Sequence, residues 1–79
     1  MIKLKLMAVL KEYAPTVDSD GCFAVEYKPG MTIADALSKT SISETTVKYS
    51  VLVNNRRKSI DDPLEDGDIV MVMPLLAGG

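Results

Sequence analysis

The stretch DDPLEDGDIVMVMP (61–74) decides how this chain folds. Its second half alternates: Val70 and Val72 fall on one side of an extended chain, Ile69, Met71 and Met73 on the other. A period of two predicts a strand over 69–73. Its first half is punctuation. Asp62-Pro63 with Leu64 predicts a single buried turn, and Glu65-Asp66-Gly67-Asp68 a tight reversal in which Gly67 is free to take positive φ.

The other end of the chain carries the matching pattern. In MIKLKLMAVL (1–10), Ile2, Leu4 and Leu6 share one face against Lys3, Lys5 and Met7, which predicts a half-buried strand ending near Leu10. KEYAPTVDSDG (11–21) starts as a helical turn and becomes a loop at Pro15 and Asp18–Gly21. A second strand is expected over 22–28, forming a hairpin with the first. Pro29-Gly30 breaks it. Thr32 then serves as N-cap and Asp35 stands at N3, a short-armed capping box. Ile33, Ala36 and Leu37 recur at helical spacing, so a helix is expected over 33–40. TSISETTVKY (40–49) reads as a connector anchored by Ile42 and Val47. SVLVN (50–54) is a short strand closed by a turn at Asn54-Asn55, and RRKSI (56–60) a short edge strand.

One helix must cover one face of one sheet. Both terminal strands are strongly apolar, which places them side by side and parallel in the interior of the sheet. The class is therefore α+β, with a mixed sheet, one main helix on one face and a C-terminal tail: the β-grasp, or ubiquitin-like, arrangement. The chain reads as one domain, globular over 1–73 with an extended tail over 74–79.

Composition narrows the function. Seventy-nine residues with a formal net charge of −2 lack the basic footprint that nucleic-acid binding needs. One cysteine and no histidine exclude an internal disulfide, a zinc-finger ligand set and any Ser-His or Cys-His pair. The opening apolar residues are interrupted by Lys3 and Lys5, unlike a secretory signal, and no apolar run reaches a membrane-spanning length. The expectation is a cytoplasmic protein that contacts neither membrane nor nucleic acid. Cys22 reads as a small strand residue rather than a sulfur-bearing thiol. Asp61-Asp62 and Glu65-Asp66 read as turn and cap residues, so no metal site is expected. NNRRKS (54–59) offers a basic patch for an acidic partner; a solvated turn is the simpler reading.

Several segments, in order, resemble the ubiquitin-like sulfur carriers. LMAVLKEYA (6–14) is similar to that family's first-strand signature, with Ala8, Leu10, Glu12 and Ala14 matching and Lys11 in place of an arginine. PGMTIADAL (29–37) is similar to its turn into the helix, VLVNN (51–55) to its Val-Asn strand end, and DDPLEDGDIVMVMPLLAGG (61–79) to its closing stretch. Within the family the tail is most similar to the small subunits of molybdopterin synthases. Two features depart: Pro74-Leu75 replaces the usual Pro-Pro, and the segment between helix and third strand is short. Thiamine-pathway carriers are usually shorter and lack the proline, and archaeal ubiquitin-like modifiers share the same ending.

The resemblance implies a chemistry. A ubiquitin-activating-type adenylyltransferase, using ATP and magnesium, would activate the carboxylate of Gly79 as an acyl adenylate. Sulfur from a persulfide donor would then replace AMP, leaving a thiocarboxylate that the large subunit of a molybdopterin synthase delivers to a pterin precursor. The domain itself would bind no cofactor and catalyse nothing alone. Elementary geometry suits that role. Pro74, Leu75, Leu76, Ala77, Gly78 and Gly79 together span roughly 20 Å when extended, and two glycines place no Cβ beside the reacting carbonyl. Pro74 is expected to end the strand ladder for want of an N–H, with Leu75 and Leu76 lying in an apolar groove of the partner. The resemblance also implies docking through the sheet face away from the helix, here Met7, Met71 and Met73 with Lys3, Lys5 and Ile69 around them; methionine adapts to more than one surface. Two other readings remain at this point. One is a sulfur carrier for thiamine or another metabolite, or a modifier joined to target lysines through Gly79. The other is a plain interaction module with an inert tail.

Overall fold

The computed structural model describes residues 1–75. Five strands form one mixed sheet: β1 (Ile2–Leu6), β2 (Phe23–Val25), β3 (Tyr49–Val53), β4 (Arg56–Lys58) and β5 (Ile69–Pro74), in the spatial order β2-β1-β5-β3-β4. The terminal strands are parallel neighbours in the interior, with Leu4 beside Val70 and Leu6 beside Val72. The other pairings are antiparallel. Among the described residues one α-helix, α1 (Ile33–Leu37), covers one face. This is the expected α+β, ubiquitin-like β-grasp.

Alternation fixes the core. Ile2, Leu4, Val70 and Val72 are fully buried on the helix side, where Ile33, Ala36 and Leu37 meet them. Each large aliphatic side chain so buried contributes about 1.5–3 kcal/mol. The start of α1 is satisfied twice over. Thr32 Oγ1 accepts the Asp35 N–H and Asp35 Oδ2 accepts the Thr32 N–H, completing the capping box. The N–H groups of Ile33 and Ala34, which no helical carbonyl can reach, donate to the carbonyls of Asp62 and Ile60. The Asp62–Leu64 turn is thus tied to the helix, and Leu64 closes the core from below with 3% exposure.

Several boundaries differ from the sequence expectation, among them the end of β4 at Lys58 rather than 60 and of β5 at Pro74 rather than 73; three have a plain local reason. β1 ends at Leu6 rather than near Leu10, because Ala8 takes φ +52° and opens a 3₁₀ turn over Ala8–Tyr13 that drives Leu10 into the core. β2 covers three residues rather than 22–28. Its partner β1 starts at Ile2, opposite Val25, and the Cys22 N–H is taken by Asp18 Oδ1 at 3.0 Å. α1 ends at Leu37 rather than 40. Ser38 Oγ and Thr40 Oγ1 bond back to the carbonyls of Asp35 and Leu37, and the last turn tightens to i→i+3 bonds. β3 begins one residue early, at Tyr49. The Asn54-Asn55 turn is as expected: φ values of +51° and +71° are those of a type I′ hairpin turn, which asparagine tolerates.

Candidate functional site

The site is the end of β5 and the sheet face beside it. β5 is positioned by partners on both sides. Antiparallel pairing with β3 sets Val51 opposite Val72, Ser50 opposite Met73 and Tyr49 opposite Pro74. Backbone groups along an interior strand point alternately to its two neighbours. Val72 faces β1, its carbonyl accepting the Met7 N–H at 2.9 Å. Pro74 has the same orientation, but β1 has already turned away at Ala8. The missing N–H therefore falls where no acceptor waits, and the strand continues through the proline. Leu75 points back to β3 and donates its N–H to the Lys48 carbonyl at 2.8 Å. The expectation that Pro74 ends the ladder is corrected: the last backbone bond described is that of Leu75. Leu76, Ala77, Gly78 and Gly79 lie outside the described residues.

The helix-free face carries the side chains alternate to the core. Met71 sits between Lys5 and Leu52, Ile69 beside Lys3, and Met73 beside Ser50. Met7 follows β1 in the same alternation and is half-buried, as is Met71, while Met73 is exposed. Met71 and Met73 alternate with the buried Val70 and Val72, and Met7 lies one residue past the end of β1. Leu52, which the sequence reading left out, and Arg57, which it placed only in the basic NNRRKS stretch, extend that face across β3 and β4. Only the β3–β4 and β3–β5 registers could have revealed them. NNRRKS resolves into the hairpin turn and the exposed edge strand β4.

Around the base of β5 the electrostatics are local and structural. The carboxylate of Asp66, which accepts from the Met1 amine, is held below the ordinary aspartate range chiefly by that hydrogen bond. The carboxylate of Asp18 accepts the N–H groups of Cys22 and Asp20 and is held low, foremost by the bond from Cys22. Asn54 bridges β3 to β5: its Nδ2 donates to Asp68 at 3.0 Å and its Oδ1 accepts the Ile69 N–H at 3.2 Å. Cys22 is buried, and no group of three His, Cys, Asp or Glu side chains among the described residues is placed to hold a metal ion. An open groove of about 620 Å³ lies between β2 and α1, lined among others by Phe23, Met31 and Lys39. It shares no residue with the end of β5. No helix among the described residues is long and apolar enough to cross a membrane.

The chain is similar to SAMP1 from Haloferax volcanii. Its structure matches the crystal structure of that protein with a TM-score of 0.74, over 99% of this chain and 98% of that one, at 22% sequence identity. The fold is ubiquitin-like. No protein-family model matches the sequence, and no curated protein does.

Proposed function

We propose that this protein is a ubiquitin-like sulfur carrier. Gly79 is adenylated by a ubiquitin-activating-type enzyme that uses ATP and magnesium, then thiocarboxylated from a persulfide donor. Its sulfur goes to molybdopterin, with this chain acting as the small subunit of the synthase in the cytoplasm. The chain supplies the reactive terminus and the docking face, and the large subunit supplies the catalytic side chains.

One observation carries the reading. The interior strand β5 bears the outward methionines and runs straight into the segment that closes on Gly78-Gly79, with only Pro74 and the clamped Leu75 between Met73 and the tail. Docking through Met7, Met71 and Met73 would therefore bring the end of β5 against whatever binds the sheet. In a carboxylate-to-thiocarboxylate sequence, the glycyl carboxylate attacks ATP and releases pyrophosphate. The terminal sulfur of the persulfide then attacks the acyl carbon and releases AMP, leaving an acyl disulfide; a second thiol attacks the donor's sulfur in that disulfide, forming a new disulfide and releasing the thiocarboxylate.

Intact-mass spectrometry tests this. The protein is incubated with the adenylyltransferase, ATP, magnesium, a persulfide donor and a thiol reductant. The expected product has one oxygen replaced by sulfur, located at Gly79 by fragmentation. A chain lacking Gly79 should melt like the parent and acquire no sulfur; sulfur gained without Gly79 would refute the assignment. Covalent conjugates on lysines of other proteins, in place of a thiocarboxylate, would make the protein a modifier instead.

A further inference from the structure

The charges of this chain are segregated. The five strands carry five of its nine lysines and arginines (Lys3, Lys5, Arg56, Arg57 and Lys58) and none of its eleven carboxylates. Register decides which of these cations face outward beside the methionines. Lys5, Met71, Leu52 and Arg57 are successive partners on β1, β5, β3 and β4. One row therefore crosses the outer face as cation, two apolar side chains, cation. At about 4.8 Å between strands the row is about 14 Å long. The adjoining rows add Lys3 with Ile69, and Met73 with Ser50. Lys3 lies 4.0 Å from the Asp18 carboxylate, so part of its charge is used within the fold. Neither Lys5 nor Arg57 has an ion-pair partner among the described residues.

The ordinary explanation for such cations covers one of them. Charge on an edge strand discourages edge-to-edge aggregation, and Arg57 is on an edge. Lys5 is not: β1 lies between β2 and β5. A half-buried cation on an interior strand, next to a methionine, gains nothing from that explanation.

We infer that the outer face docks onto a folded protein surface whose apolar centre is flanked by carboxylates about 14 Å apart, Lys5 and Arg57 engaging the two flanks. The inference rests on the docking reading above and gives the partner its chemistry. A rim of this kind acts mainly on association rate and on the choice of partner, while the apolar centre holds the complex. A second copy of this chain is the wrong occupant, because the strands of this face carry no carboxylate to meet Lys5 and Arg57 of the other copy. Nucleic acid is disfavoured too: phosphates gain nothing from Met71 and Leu52, and the chain as a whole is negative.

The probe is the ubiquitin-activating-type adenylyltransferase without ATP, with association and dissociation followed by surface plasmon resonance over a range of salt. The double variant K5E/R57E should lower the association rate constant about 10-fold or more at low salt and flatten its salt dependence. K28E/K39E makes the same change in net charge away from this face and should stay within about twofold of the parent. Met73→Asp should raise the dissociation rate with melting temperature preserved. Binding by K5E/R57E equal to the parent, an equal loss in K28E/K39E, or concentration-dependent dimers of the free protein through this face would each overturn the inference. So would absence of binding by the parent. Binding by the parent with no adenylate once ATP is added would instead overturn the Gly79 chemistry, and the variants would still decide the docking.

Discussion

At the scale of single residues, the most informative side chain outside the core is Asp18. Its carboxylate caps the turn between β1 and β2 by accepting two backbone N–H groups, from Asp20 at 2.9 Å and Cys22 at 3.0 Å, and these bonds favour the ionised form. A carboxyl whose folded-state pKa lies below its unfolded one contributes stability above the unfolded value, about 3.9, and loses it as pH falls through the folded value. Asp66 has the same sign through the Met1 amine. Asp18→Asn keeps an acceptor oxygen and removes the charge. It should reduce stability at pH 7 and flatten the loss of stability below about pH 4, measured by urea unfolding across pH. An unchanged acid slope would show that the turn does not depend on the charge. Ala8 teaches a different lesson. Nothing in LMAVL (6–10) marks a break, yet Ala8 sits at φ +52°, a conformation that costs an alanine about 1–2 kcal/mol. The burial of Leu10, with 0% exposure, offsets that cost, and this long-range gain is invisible to a local reading.

Among the elements, α1 is too short to stand on propensity. Five residues make less than two turns, so its ends decide its existence. Asp35→Ala removes one half of the capping box and should destabilise the protein by about 1 kcal/mol. Thermal unfolding measures that loss, and amide exchange at Thr32 and Asp35 should rise with it. If Asp35→Ala melts with the parent, the backbone bonds that Ile33 and Ala34 donate to the carbonyls of Asp62 and Ile60 suffice to start the helix. The capping box, the type I′ turn and the strand alternations were legible because each is written in residues adjacent in sequence. Strand ends were less so. β2 stops where β1 has no more partners to offer, and α1 stops where Ser38 and Thr40 compete for carbonyls. The outward methionines were likewise readable from alternation, whereas Leu52 and Arg57 joined them only through inter-strand register.

On the scale of the whole molecule, one layer of side chains between sheet and helix carries the stability. A chain of this length has about 4–12 kcal/mol in hand. Leu4, fully buried on an interior strand between Phe23 and Val70, should cost about 2–5 kcal/mol when cut to alanine. The urea midpoint should fall by about a sixth or more, with the slope unchanged; a smaller shift would mean that the core closes over the gap. The arrangement of the terminal strands was readable because only an interior position hides two strongly apolar strands. The pairing of Leu75 with Lys48 has a consequence for scale. It moves the root of the tail two residues beyond the place where the sequence alone would put it. Measured from that root, Leu76 to Gly79 provide about 13 Å of contour rather than 20 Å. On the proposed docking, a partner that seats the sheet has to bring its reactive centre nearly to the rim of the seat, and a single hydrogen bond, from Leu75 to Lys48, sets that depth.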